Sequence, residues 1–350
     1  MAQKLKTGIL GATGAVGQKL LQLLLDHPLF EVTALFASER SAGKTYREAV
    51  TWRAPGPFPE PFGHITVTDC EPKGKLDLVF SALPNDQALE AEPKFATAGI
   101  PVVSNASAFR MAPDVPLVIP EINPEHTALI HHQRAQRGWT GFIVTNPNCA
   151  TIGLALPLAA LDQAFGVDKV QVTTMQARSG AGYPGPSEDE IDDNVLPFIG
   201  GEEDKLETEP QKILGTFSDN AIQHAEMTLS AACHRVNLSD GHFEAISISF
   251  HRKPASVEEV RATLADYQGK ISDLQLHSSP DPLIRVHDES SRPQPKLDRM
   301  DGGGMTTQVG RIRPCAVLDY KMVVLSHNTI RGAAGAALLN GELLAAQKLI

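Results

Sequence analysis

The sequence predicts an α/β protein in which a Rossmann-like, doubly wound parallel sheet is joined to an α+β domain. Three observations carry that expectation. A glycine loop, GATGAVG, stands between an apolar run and a helical pattern near the start of the chain. Strand-length apolar runs then alternate with helical patterns to about residue 145, which is the rhythm of a parallel sheet. After residue 149 the runs alternate apolar with polar residues, as in a mixed or antiparallel sheet with one face toward solvent.

Residues 6–10 (KTGIL) read as the first strand, and residues 18–26 (QKLLQLLLD) as a helix that stops before Pro28. Residues 31–37 (EVTALFA) and 76–83 (LDLVFSAL) are strands, with a helix over 86–98 and short strands at 101–104 and 142–145. In the second half, 169–176 (KVQVTTMQ) and 243–250 (FEAISISF) alternate clearly. Residues 304–312 do so loosely, and 317–326 form another strand. Residues 179–209 and 257–267 supply helices and loops. The Ala- and Leu-rich stretch 332–349 is a helix able to cross back onto the first domain. At about 150 residues per domain, 350 residues make two. The expected division is 1–148 plus 330–350 for one domain and 149–329 for the other.

Composition narrows the function. With 42% hydrophobic and 21% charged residues a core of normal size can form. A net charge of -10 without a dense Lys/Arg run argues against nucleic acid and anionic membranes. Local Arg and Lys residues remain available for anionic metabolites. No stretch approaches the roughly 18 apolar residues of a membrane span, and no signal-peptide pattern is visible, so a cytoplasmic location is expected. Cys70, Cys149, Cys233 and Cys315 are far apart, which fits free thiols in a reducing compartment. His and Cys show no metal-ligand spacing, so no metal is expected. The ordinary role of a Cys is that of a small buried hydrophobe, and Cys70 and Cys315 are read that way. His131 and His132, on a polar helix, are expected to face solvent.

The loop of Gly11, Thr13, Gly14, Ala15, Val16 and Gly17 has the form GxxGxxG in a strand-to-helix context. Its glycines permit close backbone approach, and the helix N-terminus offers amides to a pyrophosphate. The second strand runs into Ser38, Glu39, Arg40 and Ser41. A guanidinium flanked by two hydroxyls suits a 2′-phosphate, which favours NADP over NAD. Glu39 is the counter-argument unless it faces away.

Cys149 lies in TNPNCAT, after a strand and before the apolar helical stretch IGLALPLAAL. The helix dipole and free amides at that place are expected to lower the thiol pKa and to be able to hold an oxyanion. Gln176 ends a strand and opens QARSGAGY, whose glycines suit backbone approach to a ligand. Arg235 and His242 follow, seven residues apart; on one extended path that odd offset points them to opposite faces. A turn through Ser239, Asp240 and Gly241 would be needed to bring them together. Among twelve histidines, the residues alone leave His242 an open candidate for a base.

Taken together, GATGAVGQ, ASERSAGK, VFSALP, SNASAFRM, VIPEIN, TNPNC, QARSGAGY, RPQPKLDR and HNTIRGAAG resemble the aspartate-semialdehyde dehydrogenase family, especially its archaeal and fungal branch. These pieces are spread over nearly the whole chain. The resemblance implies NADP-dependent reductive dephosphorylation of L-aspartyl 4-phosphate to L-aspartate 4-semialdehyde, in lysine, threonine and methionine biosynthesis, by a homodimer or homotetramer. It implies Cys149 as the nucleophile that forms a thioester, Gln176 as an orienting group and His242 as the acid/base. Arg235 would bind the substrate carboxylate. Glu202 would hold the amino group, with Glu203 one residue away as the competing assignment. Lys205, Arg110 and Asn105 would bind phosphate. Ser81, Ala82, Leu83, Ser179, Gly180 and Asn328 would join the glycine loop, Ser38, Arg40 and Ser41 around the cofactor.

Two residues depart from the family pattern. Ala150 stands where relatives usually carry a hydroxyl, and His234 stands where Asn is common. One alternative, a malonyl-CoA reductase of the same superfamily, keeps the thioester chemistry and changes the substrate. N-acetyl-glutamyl-phosphate reductase fits less well, because its nucleophile motif reads PGCY. A third reading is a non-catalytic NADP-binding redox sensor, which requires Cys149 to lack a nearby base and anion site.

Overall fold

The computed structural model describes residues 3–350. Strands β1 (Leu5–Leu10), β2 (Phe30–Phe36), β3 (Val67–Thr68), β4 (Leu78–Ser81), β5 (Val102–Ser104) and β6 (Ile143–Thr145) form one parallel sheet in the order β3-β2-β1-β4-β5-β6. Helices α1 (Ala15–Leu24), α2 (Tyr46–Ala49), α3 (Asn85–Thr97) and α4 (Leu129–Arg137) accompany it. The strand order reverses between β1 and β4, so a crevice opens beyond the carboxyl ends of those two strands. Leu20, Leu21 and Leu24 of α1 pack with Phe30 and Leu35 on one face, while Ala88 and Phe95 of α3 pack with Val79 and Val102 on the other.

The glycine loop is shorter than the sequence suggests. Helix α1 begins at Ala15, so Gly17 is helical. The reason is packing: a Cβ on Gly17 would lie 2.3 Å from the Gly11 carbonyl oxygen and 2.8 Å from Ala12 Cα. The third glycine lets α1 sit directly on the loop.

The second sheet is mixed. Strands β7 (Val167–Gln176), β8 (Val195–Leu196), β11 (Thr228–Val236), β12 (His242–Phe250), β13 (Ile284–Val286), β14 (Thr307–Pro314) and β15 (Tyr320–Ser326) run in the order β13-β14-β15-β12-β7-β11-β8. β9 (Thr216–Ser218) and β10 (Ala221–Gln223) make a separate hairpin. β11 is parallel to β7, whereas β12 is antiparallel to it. Burial alternates residue by residue along β12. Its buried face carries α5 (Thr151–Phe165), a helix apolar on every side, where Leu154 and Leu158 meet Val172 and Ile246. Helices α6 (Glu188–Ile191), α7 (Glu202–Ile213), α8 (Val257–Ala265) and α9 (Pro295–Asp298) complete this half.

β11 escaped the sequence reading. Its TLSAACHRV is rich in small residues with little strand preference, and pairing with β7 fixes it instead. β3, β8 and β13 are too short to show a period. After β15 a π-turn (Ile330–Ala334) leads into α10 (Gly335–Ala346). Ala337, Leu338, Leu339 and Leu343 of α10 join Leu20 and Phe30 in the core of the first sheet. His131 is exposed as expected, but His132 is partly buried. Among the described residues, no helix is long and apolar enough to cross a membrane.

Candidate active site

Strand register places the chemistry. Arg235 on β11 pairs with Gln176 on β7, His242 on β12 pairs with Ser326 on β15, and Phe243 pairs with Met175. Arg235, Gln176, His242 and Ser326 are all buried in one row at the end of the sheet. The expected turn through Ser239, Asp240 and Gly241 does join Arg235 to His242, as part of a crossing between two strands. They lie on strands flanking β7, and residues 237–241 cross its end. There the amides of Arg178 and Ser179 donate to the carbonyls of Leu238 (2.8 Å) and Ser239 (3.3 Å). The crossing resets the register, so a seven-residue offset does not decide which way the side chains face.

Cys149 sits between β6 and α5, half-buried, with Sγ 3.2 Å from His242 Nε2. His242 Nδ1 accepts the Ala177 amide at 3.1 Å, so the hydrogen-bond network assigns the imidazole proton to Nε2, aimed at Sγ. The helix amides are not free, contrary to expectation. Asn148 folds back, and its Oδ1 accepts from the amides of Ala150 (2.9 Å) and Thr151 (3.2 Å). The thiol is not lowered either. Burial, reinforced by Glu202, pushes it up to about 12, against the pull of Arg110, Arg235 and Lys205. Burial and then Arg235 push His242 down to about 3. The resting pair is therefore a neutral thiol beside a neutral imidazole.

Glu202, at the start of α7, is buried and faces this pair. It accepts from Asn148 Nδ2 (2.9 and 3.0 Å), Gln176 Nε2 (3.3 Å) and Lys205 Nζ (2.8 Å). Burial favours its neutral form, but Lys205 and the Asn148 hydrogen bonds outweigh that and hold its pKa below the usual range. Glu203 turns away and accepts the Cys233 amide at 3.0 Å, so Glu202 is the one aimed at the site. Arg110 is held by Glu209 (2.9 Å) and by the Asn105 carbonyl (2.6 Å). Glu209 also accepts the Asn148 amide at 2.6 Å, and Lys212 grips the carbonyls of Arg110, Ala112 and Val115. The sequence reading missed Asn148, Glu209 and Lys212. An Asn just ahead of a helix is a capping signal; the other two look like part of a solvated helix face.

A cleft of about 790 Å³ ends at Cys149. Gly11, Thr13, Gly14, Ala15, Val16, Ser38, Arg40, Ala82, Leu83, Asn105, Arg110, Ser179, Gly180, Glu202, Lys205 and Asn328 all line it. Gly17, Ser41 and Ser81 do not: Gly17 supports α1, the Ser41 amide donates to the Ser38 carbonyl (2.8 Å), and buried Ser81 accepts from Asn105 Nδ2 through its carbonyl (2.9 Å). Gln176, Arg235 and His242 lie behind the SGAG loop. A Cβ on Gly180 would be 2.8 Å from Arg235 Nη1 and 3.0 Å from His242 Cε1, so glycine lets the loop rest on both. Asn328 fastens that loop, donating to Ser179 Oγ (2.9 Å) and accepting the Gly241 amide (2.8 Å). Gly332 also lines the cleft; a Cβ there would be 2.8 Å from Cys149 Cβ.

The far end of the cleft fits a dinucleotide phosphate. The first turn of α1 has neither a side-chain cap nor an acidic residue, which leaves its amides for an anion. Gly11, at φ +75°, lies so close to β4 that a Cβ would be 2.6 Å from the Ala82 carbonyl oxygen. Glu39 is exposed and lines a neighbouring hollow rather than the cleft.

Two family models match the chain: the semialdehyde dehydrogenase NAD-binding domain over residues 6–130 and the semialdehyde dehydrogenase dimerisation domain over 158–331. An aspartate-semialdehyde dehydrogenase of Archaeoglobus fulgidus is 53% identical over 98% of each chain, and one of Aspergillus fumigatus is 47% identical over 97% of each. The crystal structure of the Candida albicans aspartate-semialdehyde dehydrogenase with NADP superposes with a TM-score of 0.91 at 46% identity, covering 99% of this chain and 100% of that one. A Vibrio cholerae aspartate-semialdehyde dehydrogenase II complexed with ASA gives 0.77 at 28% identity, covering 98% and 99%. The chain belongs to the aspartate-semialdehyde dehydrogenase family.

Proposed function

We propose that this chain catalyses the NADP-dependent reductive dephosphorylation of L-aspartyl 4-phosphate to L-aspartate 4-semialdehyde through a thioester on Cys149. The carrying observation is the 3.2 Å approach of Cys149 Sγ to His242 Nε2 at one end of a cleft whose other end holds Ser38 and Arg40. Cys149 sulfur attacks the acyl carbon, the bond to the phosphate oxygen breaks, and the thiol proton leaves with the phosphate as hydrogen phosphate. When bound along the glycine loop, the cofactor supplies hydride to the acyl carbon or accepts it in reverse.

The protein's own residues position and protonate. An acyl group bonded to Sγ lies beside the His242 N–H, which is placed to donate a hydrogen bond to the developing oxyanion and to keep it until the thiohemiacetal collapses to aldehyde and thiolate. That role falls to His242 because Asn148 occupies the helix amides. Gln176 orients the acyl group. Glu202 takes the substrate ammonium, Arg235 the carboxylate, and Lys205, Arg110 and Asn105 the phosphate. Arg110 brings to that task a buried Nε with no protein partner. Gly11, Thr13, Gly14, Ala15 and Val16 cradle the pyrophosphate, with Ser38 and Arg40 at the 2′-phosphate; Ala82, Leu83, Ser179, Gly180 and Asn328 frame the nicotinamide end, and Gly17, Ser41 and Ser81 support these segments from behind.

The non-catalytic sensor reading loses its premise, since base and cations surround Cys149. Malonyl-CoA remains the competing substrate, and buried Glu202 favours a substrate with an ammonium group instead. The assembly is a homodimer or homotetramer working in the cytoplasm. Residues 1–148 with 330–350 hold the cofactor, while 149–329 carry catalysis and the subunit interface. The packing of α10 on the first sheet supports that division. The purified protein should oxidise aspartate semialdehyde with NADP and phosphate, and Cys149→Ala should remove that activity. Turnover of malonyl-CoA without turnover of the semialdehyde would refute the substrate assignment.

A further inference from the structure

Beneath the catalytic row lies a polar group that the proposed chemistry does not use. Glu244 follows His242 by two residues on β12, so both side chains leave the same face of the sheet. Glu244 is 1% exposed, and among the described residues neither carboxyl oxygen has a hydrogen-bond partner. Its cross-strand neighbours are Thr174 on β7 and Val324 on β15. Among the described residues, Thr174 Oγ1 and Ser326 Oγ are likewise buried without partners. Gly153 brings α5 onto this spot: a Cβ there would lie 2.4 Å from Ser326 Oγ and 3.8 Å from Glu244 Oε1.

Each member adjoins a group of the active site. Gly153 is four residues from Cys149, in the first turn of α5. Thr174 is two residues before Gln176, and Ser326 pairs with His242. The titratable group across the row is Cys233, paired with Thr174, and among the described residues no ion pair reaches Glu244. Burial drives the Glu244 pKa well above the carboxylate range. A neutral carboxyl has one donor and a free acceptor oxygen, and each hydroxyl offers both, so the set can satisfy itself directly or through buried water. An apolar side chain would avoid the cost of burying the acid, which makes its presence call for an explanation.

We propose that Glu244 is a positioning residue: it ties Thr174 and Ser326 into one buried hydrogen-bonded cluster against Gly153 of α5, and so holds Cys149 and His242 in mutual register. This rests on the reaction proposed above. A nucleophile displaced by about 1 Å loses rate on the order of a hundredfold, so the cluster has leverage.

The test compares Glu244→Gln with Glu244→Leu in the full chain. Gln keeps donor and acceptor without charge, so kcat should stay within about threefold of wild type, with an unmoved pH profile. Leu removes the hydrogen bonds. Its kcat should fall about tenfold or more at unchanged KM for NADP, and iodoacetamide should alkylate Cys149 several-fold more slowly. Wild-type kcat and alkylation rate in Glu244→Leu would overturn the proposal. So would a pH profile shifted by about one unit in Glu244→Gln, because the group would then carry charge. Should Glu244→Leu not fold, the double variant Thr174→Val with Ser326→Ala breaks the same cluster and is read the same way. The alkylation arm needs no substrate, so a mistaken substrate assignment leaves it intact.

Discussion

Replacing Gly17 by Ala adds one methyl group at the point where α1 meets the glycine loop. The new Cβ would stand 2.3 Å from the Gly11 carbonyl oxygen and 2.8 and 2.9 Å from Ala12 Cα and its carbonyl carbon. All three are backbone atoms, so no side chain can swing aside. Ordinary contact begins near 3.4 Å, and the helix must retreat by about 1 Å. Overpacking of this kind costs about 1–3 kcal/mol. The first-turn amides of α1 retreat with the helix, and a hydrogen bond near 2.9 Å does not survive that extension. Hydrogen bonds to charged groups contribute about 1.5–3 kcal/mol each, so losing one weakens cofactor binding roughly 10- to 150-fold. Titration of NADPH fluorescence reads that loss directly. Iodoacetamide alkylation of Cys149 serves as the control and should be unchanged, because the nucleophile is held by other elements. An NADPH Kd within threefold of wild type, in a folded variant, would refute the reasoning.

Arg40→Ala should weaken NADP at least tenfold while leaving NAD nearly unaffected; equal loss for both, measured by competition, would remove the 2′-phosphate role. Glu202→Gln removes the charge that helps hold the Cys149 thiol up, so alkylation of the free enzyme at pH 8 should be several-fold faster while KM for the semialdehyde rises at least tenfold. A slower alkylation would contradict that electrostatic account. His126 is buried, and its pKa is pushed down from 6.5 to about 4, chiefly by burial. The unfolded chain therefore binds a proton first as pH falls, so the neutral His126 contributes stability above pH 6.5 that is lost between pH 6.5 and 4. The shift corresponds to about 3 kcal/mol. His126→Gln should flatten the stability curve in that window, as followed by urea melts; an unchanged slope would sink the assignment.

Much of the first domain was legible because its signals are local. A glycine loop between a strand and a helix needs no tertiary information, and the alternation of apolar runs with helices fixes a parallel sheet. The site was legible only in part. Cys149 was correctly placed ahead of a helix, yet the inference of free amides failed because Asn148, one residue away, competes for them. The seven-residue offset between Arg235 and His242 decided nothing, because the chain turns through residues 239–241 on its way across the end of β7. Glu209 and Lys212 look like solvent-facing charges in a polar helix; their burial follows from α7 closing over the 105–115 segment, which no local pattern reveals. Glu244 was readable after all. The phase of HFEAISISF that buries Ile246 and Ile248 also buries His242 and Glu244.

The electrostatics of the resting site bear on when the nucleophile becomes reactive. A thiol held near 12 is almost wholly protonated at neutral pH, so the free enzyme carries little thiolate. Glu202 is the charge that most opposes ionisation after burial itself, and it is also the group proposed to receive the substrate ammonium. An ammonium paired with Glu202 cancels that opposition, while Arg110, Arg235 and Lys205 continue to favour the thiolate. On the proposed role of Glu202, binding of a substrate with an ammonium group would lower the Cys149 pKa, and a substrate without one would not. The same carboxylate would then serve recognition and activation together: malonyl-CoA would fail for lack of activation as well as contacts, and the unliganded cysteine would react only slowly with electrophiles that carry no cation.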